Sequence, residues 1–347
     1  MKQFNRNTAK FGIIELFNIL GRKEGYSFKD EKSSREFINK LKREFHEVKN
    51  SQTTLHGIHT QEMFGHLINS LGKSAIVKQE DSGEIFTIDK SLKIPDFRLL
   101  LKDGQQLLVE VKNYYQSKSK LMAPYNLKRD YLNGLRQYAN LFGCDLKIAI
   151  YWAKWNMWTL VSDSNIKDNG ILYSLSMQEA MTANEMYILG DKLLGTKPPL
   201  KIRILIDKNT LYLNHNGKAK YKINNVEVYC DDIRIDDIFE KKLAYYLMLF
   251  GQWPLHGPIY DTSNKNFIIS EFIFQPDKKN SENKFETIGF LSSLYSTYYN
   301  MVTMTESGGV ERISPKQPLS LALNIPPDYK GKYLPLWQFV IDESKHV

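Results

Sequence analysis

The sequence predicts an α/β protein: a central mixed sheet flanked by helices in the order αβββαβ, with an α+β region after it. Three observations lead there. Residues 94–113, IPDFRLLLKDGQQLLVEVKN, are two short apolar runs parted by Lys102-Asp103-Gly104-Gln105, and Asp-Gly between alternating hydrophobics is a strong hairpin signal. Apolar stripes at helical spacing flank it, Met63, Phe64, Leu67, Ile68 and Leu71 before and Leu132, Leu135, Tyr138, Ala139 and Phe142 after. Residues 146–152 follow as a strongly apolar run of strand length. A chain of 347 residues exceeds one typical core. Three regions are therefore expected: a helical extension over 1–50, the α/β domain over 51–165 and the α+β domain over 166–347.

In chain order, Ile13, Ile14, Leu16, Phe17 and Leu20 make an apolar stripe that Gly21 should end. A second helix is expected over 33–48, with Phe37, Ile38, Leu41 and Phe45 on one face. These helices fit a cap on the core or a small DNA-contacting module. The next helix is expected over 60–71, with Thr60 as N-cap and Glu62 in its first turn. Its neighbours His56, His59 and His66 read as surface or packed side chains. Residues 75–79 and 84–88, joined by Asp81-Ser82-Gly83, give a further strand or hairpin before the motif.

In a strand, successive side chains face opposite sides. Leu107, Val109 and Val111 then share one face, and Leu108, Glu110 and Lys112 the other. In the first run, Phe97, Leu99 and Leu101 pack inward opposite Asp96, Arg98 and Leu100. The hairpin can thus bring the Asp96 and Glu110 carboxylates together with the Lys112 ammonium on the same surface. Glu110 and Lys112 lie about 6.6 Å apart along the strand, near enough to act on one phosphate. Hard divalent cations are commonly held by one or two carboxylates plus substrate phosphate, and a lysine beside them can orient or deprotonate a water.

An E-x-K triplet alone arises by chance on the order of once in a chain of this length, and a solvated surface hairpin has the same local sequence. The context adds weight: Pro95-Asp96 opens the preceding strand, a turn intervenes, and Glu110-Val111-Lys112 follows. This pattern resembles the PD-(D/E)xK signature of the restriction-endonuclease-like nuclease superfamily, over about residues 55–162. The resemblance implies the αβββαβ core of that superfamily and Mg²⁺, with Mn²⁺ the other candidate, as cofactor. Asp96 and Glu110 would be metal ligands together with the backbone carbonyl of Val111, and Lys112 would be catalytic. It also makes Glu62 the candidate for a further helix carboxylate, with Glu80 and Glu84 as alternatives. Gln137 is similar to a helix glutamine of some subfamilies, although Leu141 stands where their tyrosine would be.

Beyond the hairpin, residues 114–125 are a polar loop in which Lys118 and Lys120 suit substrate contact. A helix over 127–142, stopped by Gly143, carries Lys128, Arg129 and Arg136 on its other side as phosphate contacts or solvated charge. Residues 158–161 form another strand, and Trp152, Trp155 and Trp158 read as packing rather than base-stacking residues. In the last region, 176–189 is expected to be helical, as are 238–250 and 287–301. Strands are expected at 201–207, 211–214, 221–229 and 266–274, with Asn216-Gly217 as a turn. Asp231, Asp232, Asp236 and Asp237 read as a solvated acidic loop.

The net charge is +8, but residues 1–160 hold 26 Lys+Arg against 17 Asp+Glu, while the remainder holds 21 against 22. Positive charge thus gathers in the part that carries the motif, as a polyanion partner would require. Two distant cysteines, Cys144 and Cys230, make neither a disulfide framework nor a zinc spacing and fit a reducing cytoplasm. The short apolar run near the start is interrupted by Glu15 and is too short to span a bilayer. The expectation is a cytoplasmic Mg²⁺-dependent DNA endonuclease in a restriction-like, mobile-element or defence setting. Its last region would choose the target, bind a partner protein or form a homodimer. A nuclease-like DNA-binding or assembly module without turnover, and an RNA-directed nuclease, are the alternatives.

Overall fold

The computed structural model describes residues 8–81, 86–116, 123–213, 215–216, 218–278, 285–316, 325–326 and 328–341. Helix α1 (Thr8–Glu24) runs through Gly21. The bare Cα of Gly21 lies where a Cβ would stand 2.9 Å from Tyr26 Cβ, and the chain turns instead at Gly25, whose φ is +68°. Phe17 is the buried member of the expected stripe, packed on Tyr26, Phe28 and Phe37, whereas Ile13, Ile14 and Leu16 are exposed. Helix α2 (Glu31–Asn50) is capped by Asp30, which accepts from Lys32 and Ser33 N–H. Of its expected face Phe37 is buried, while Ile38 and Phe45 are exposed.

Helix α3 (Gln52–Leu71) starts eight residues before the sequence expectation. Ser51 caps it, its hydroxyl accepting from Thr54 N–H. The weak helix formers of its first turns (Thr53, Thr54, Gly57) hide that start in the sequence. Thr60 is therefore a buried interior residue, and Glu62 lies in mid-helix.

Strands β1 (Ser74–Gln79), β2 (Phe97–Leu101) and β3 (Gln106–Tyr114) form an antiparallel meander. Residues 84 and 85 lie outside the described residues, and Phe86 and Ile88 are exposed and outside any strand. The predicted hairpin turn is present: Gly104 has φ +96° and Leu101 N–H donates to Gln105 O at 2.8 Å. Short strand β4 (Tyr125–Lys128) occupies the first two residues of the helix expected from 127. Helix α4 (Arg129–Phe142) begins after it and ends at Gly143 with φ +59°.

The chain then crosses to β5 (Asp145–Trp152), which pairs parallel with β3, and β6 (Met157–Ser162) closes an edge antiparallel. The sheet order is β1-β2-β3-β5-β6, a mixed sheet. The inward faces expected of the hairpin hold. Phe97, Leu99, Leu101, Leu107, Val109 and Val111 share one core with Met63, Phe64, Leu67 and Ile68 of α3. Leu108, Ile148, Ile150 and Trp152 share the opposite core with Leu132, Leu135 and Tyr138 of α4. Trp152 and Trp158 are buried, as read from the sequence.

The remainder is α+β. Strands β7 (Lys167–Asp168) and β8 (Leu172–Leu175) join β4 in a small sheet. Residues 176–189 are not one helix. A capping box of Ser176 and Glu179 starts α5 (Met177–Thr182), and Asn184 Oδ1 accepts from Leu160 and Met186 N–H at the break that follows. Strand β9 (Leu193–Thr196) leads to β10 (Leu200–Asp207), the hairpin of β11 (Tyr212–Leu213) and β12 (Ala219–Lys220), then β13 (Ile223–Cys230) and β14 (Ile233–Arg234). Helix α6 (Ile238–Phe250) matches its expected bounds. Strands β15 (Leu255–Asp261) and β16 (Phe267–Phe274) complete an antiparallel sheet ordered β14-β13-β10-β16-β15.

Residues 287–290 are strand rather than helix, within β17 (Glu286–Phe290), because they pair with β9 beside β18 (Leu336–Phe339). Helix α7 (Leu291–Thr303) follows directly. It packs on α3 and β6, and its Tyr295 and Tyr299 belong to the core that α3 shares with the first sheet. No helix among the described residues is long and apolar enough to cross a membrane.

Candidate active site

Strand β3 lies inside the sheet, and its run Leu107-Leu108-Val109-Glu110-Val111 is buried throughout. A carboxylate in such a strand costs several kcal/mol unless it finds partners. Glu110 is 1% exposed and finds two. Tyr131 Oη, from the first turn of α4, donates to Glu110 Oε1 at 2.5 Å. Lys112, next on the same face of the strand, pairs with the same oxygen. Lys112 Nζ also donates to Tyr131 Oη at 3.3 Å and sits 4.6 Å from its ring centroid. Glu110 Oε2 is buried without a hydrogen-bond partner.

Asp96 immediately precedes β2 and reaches the same end of the sheet. Its Oδ2 accepts from Val111 N–H at 2.6 Å and its Oδ1 from Gln61 Nε2 at 2.8 Å. Burial first, then the neighbouring Glu110 charge, pushes the Asp96 carboxyl up to about 7, with the Val111 hydrogen bond opposing. Two acids that repel one another in a buried place are stabilised by a cation between them. Tyr131 is held protonated by burial and by Glu110.

Asp96, Glu110, Val111 and Lys112 open onto a cleft of about 950 Å³. Its walls are the first half of α3, the carboxyl ends of β3 and β5, Tyr131, and residues 300–308 at the end of α7. A cleft beyond the carboxyl ends of parallel strands is where open α/β sheets usually bind ligands. Among the described residues no group of three or more His, Cys, Asp or Glu could hold a metal ion. The donors present are two carboxylates, with one carboxylate oxygen lacking a partner. That all-oxygen set fits Mg²⁺, which is usually held by one or two carboxylates with the rest of its shell left to water and substrate.

The structure brings together Asp96, Glu110, Val111 and Lys112, and it sends other sequence candidates elsewhere. Glu62 faces His66 Nε2 at 3.6 Å and accepts from Ser314 Oγ at 3.1 Å, outside the cleft lining. Its helix register presents Gln61 to Asp96 instead. Gln137 is exposed and accepts from Ser91 Oγ at 2.9 Å, and Tyr131 is the α4 side chain that reaches the acids.

Among the candidate phosphate contacts, Arg136 is committed to Asp163 and Tyr173. Arg129 is committed to Asp168 and Gly170 O. Lys128 is exposed, while Lys118 and Lys120 lie outside the described residues. Glu80 is buried between Arg98 and Tyr138, and Glu84 lies outside the described residues. His59 packs in the α3–α7 contact, its Nε2 2.8 Å from Thr303 Oγ1. Sequence reasoning missed Gln61 and Tyr131. Positions 61 and 62 both border the buried stripe of α3, so the linear pattern did not choose Gln61, and nothing in it pointed to Tyr131.

No family model matches the chain, and no curated protein matches it. Among solved structures, a Holliday junction resolvase from Archaeoglobus fulgidus aligns at 15% identity over 33% of this chain and 84% of its own, with a TM-score of 0.27. At that score the likeness carries no weight for this chain.

Proposed function

We propose that this chain is a metal-dependent nuclease that hydrolyses phosphodiester bonds, with DNA as substrate and Mg²⁺ as cofactor. The observation that carries the reading is the convergence of Asp96, Glu110 and Lys112 at one end of the sheet, facing an open cleft. Asp96 and Glu110 would hold the ion, with the Val111 carbonyl beside them. A bound Mg²⁺ would polarise a phosphoryl oxygen and acidify a water.

The chain's own residues do the rest. Gln61 and the Val111 N–H fix the Asp96 carboxylate, leaving further lone pairs on both oxygens. Tyr131 fixes Glu110 through Oε1, so that Oε2 is the oxygen left over. Lys112 would turn from Glu110 to the attacking water or to the developing phosphorane charge once the cation neutralises the acid. Residues 166–347 would then select the target, a partner protein or a second copy, in a restriction-like, mobile-element or defence setting.

Purified protein incubated with supercoiled plasmid tests this. Nicking is expected with Mg²⁺ and none with EDTA, and Asp96→Asn and Lys112→Ala should each lower it at least 100-fold with the fold intact by circular dichroism. Nicking that survives either change removes the assignment.

A further inference from the structure

The cleft says more about the substrate than the acids do. Its charged lining residues are Asp96, Glu110 and Lys112, and Lys112 is paired with Glu110. The other polar lining is made mostly of amides and hydroxyls, among them Gln52, Thr53, Asn113, Asn300 and Ser307. Such groups donate and accept, which suits the Watson–Crick edges of bases. In a duplex those edges are already paired, and a strand offers them to protein when it is unpaired.

Tyr115, directly after β3, lines the same cleft with 73% of its surface exposed. An exposed aromatic beside a backbone-cleaving centre is the stacking platform found in single-strand binders. Size agrees: about 950 Å³ is the scale of a small-ligand pocket, enough for one or two nucleotides.

Resting on the nuclease reading above, we infer that the cleft takes an unpaired strand in preference to intact duplex, its phosphate at Asp96 and Glu110 and its adjoining base stacked on Tyr115. DNA and RNA share the chemistry used here, so both are tested.

The full chain is titrated, with Ca²⁺ in place of Mg²⁺, against a fluorescent 20-nucleotide DNA single strand, the RNA of the same sequence and the blunt DNA duplex. Anisotropy should show at least one single strand bound ten-fold or more tighter than the duplex. Tyr115→Ala should weaken that binding about 5- to 50-fold while leaving the duplex unchanged, and Tyr115→Phe should restore it. Duplex bound as tightly as either single strand, weak binding of all three, or a Tyr115→Ala chain that binds normally would each overturn the inference. Cleavage with Mg²⁺ is scored separately. Selective single-strand binding without cutting removes the nuclease reading and keeps the occupant, whereas equal binding and cutting of duplex does the reverse.

Discussion

Tyr131 determines which oxygen of Glu110 is available. Its hydroxyl and Lys112 both engage Oε1, so the carboxylate enters the site with one oxygen spoken for and the other not. Tyr131→Phe keeps the ring under Lys112 and removes the donor. The expected outcome is a 10- to 100-fold lower Mg²⁺-dependent nicking rate with a melting temperature within a few degrees of the parent, read by plasmid assay and circular dichroism. An unchanged rate would mean that Lys112 alone orients Glu110. That Asp96, Glu110 and Lys112 share one side of the hairpin was legible in the sequence because a two-residue period and an Asp-Gly turn place them there, while their roles came from the resemblance of Pro95-Asp96 and Glu110-Val111-Lys112 to a family signature. Gln61 was not legible, since adjacent positions 61 and 62 both border the buried stripe and the seating of α3 against the start of β2 chooses between them. Tyr131 was invisible for a related reason: its partner lies across a crossover whose geometry no local pattern encodes.

At the scale of elements, the α3–α7 contact carries a titration. His59 is 2% exposed, and burial first, then His56, depresses its pKa from 6.5 to about 4. Between those values the unfolded chain binds a proton that the folded chain refuses, so stability falls as pH drops from about 6.5 toward 4. The loss is on the order of 2 kcal/mol by pH 4.5. His59→Gln, which can still reach Thr303, should lose less melting temperature than the parent between pH 7 and pH 4.5. Equal losses would place the acid sensitivity elsewhere.

The α4 packing gives a second element-level expectation. A Cβ on Gly134 would stand 2.4 Å from Ser91 O and 2.7 Å from Lys93 Cγ. Gly134→Ala should therefore cost about 1–3 kcal/mol in a urea melt despite alanine's better helix propensity. Helix positions with strong caps or sharp stops, such as α6 and the end of α4, were read correctly from sequence. Residues 127–128 and 287–290 were not, because their strand state comes from pairing with β8 and β9, far along the chain.

For the molecule as a whole, the core under the first sheet is completed by Met186, Leu189, Tyr295 and Tyr299. A chain limited to residues 51–165 would leave Phe64 and Trp158, which now pack together at 5.4 Å between ring centroids, without these neighbours. Such a fragment is expected to bind a hydrophobic dye and to melt without a cooperative transition; a sharp two-state melt would show that the region folds alone. The far wall of the cleft, from Asn300 to Gly308, comes from the same late stretch. That placement has a temporal side. While the polypeptide is still leaving the ribosome, the hairpin that carries Asp96 and Glu110 emerges long before residues 300–308, so the cleft stays open on that side until the later stretch has been made and packed.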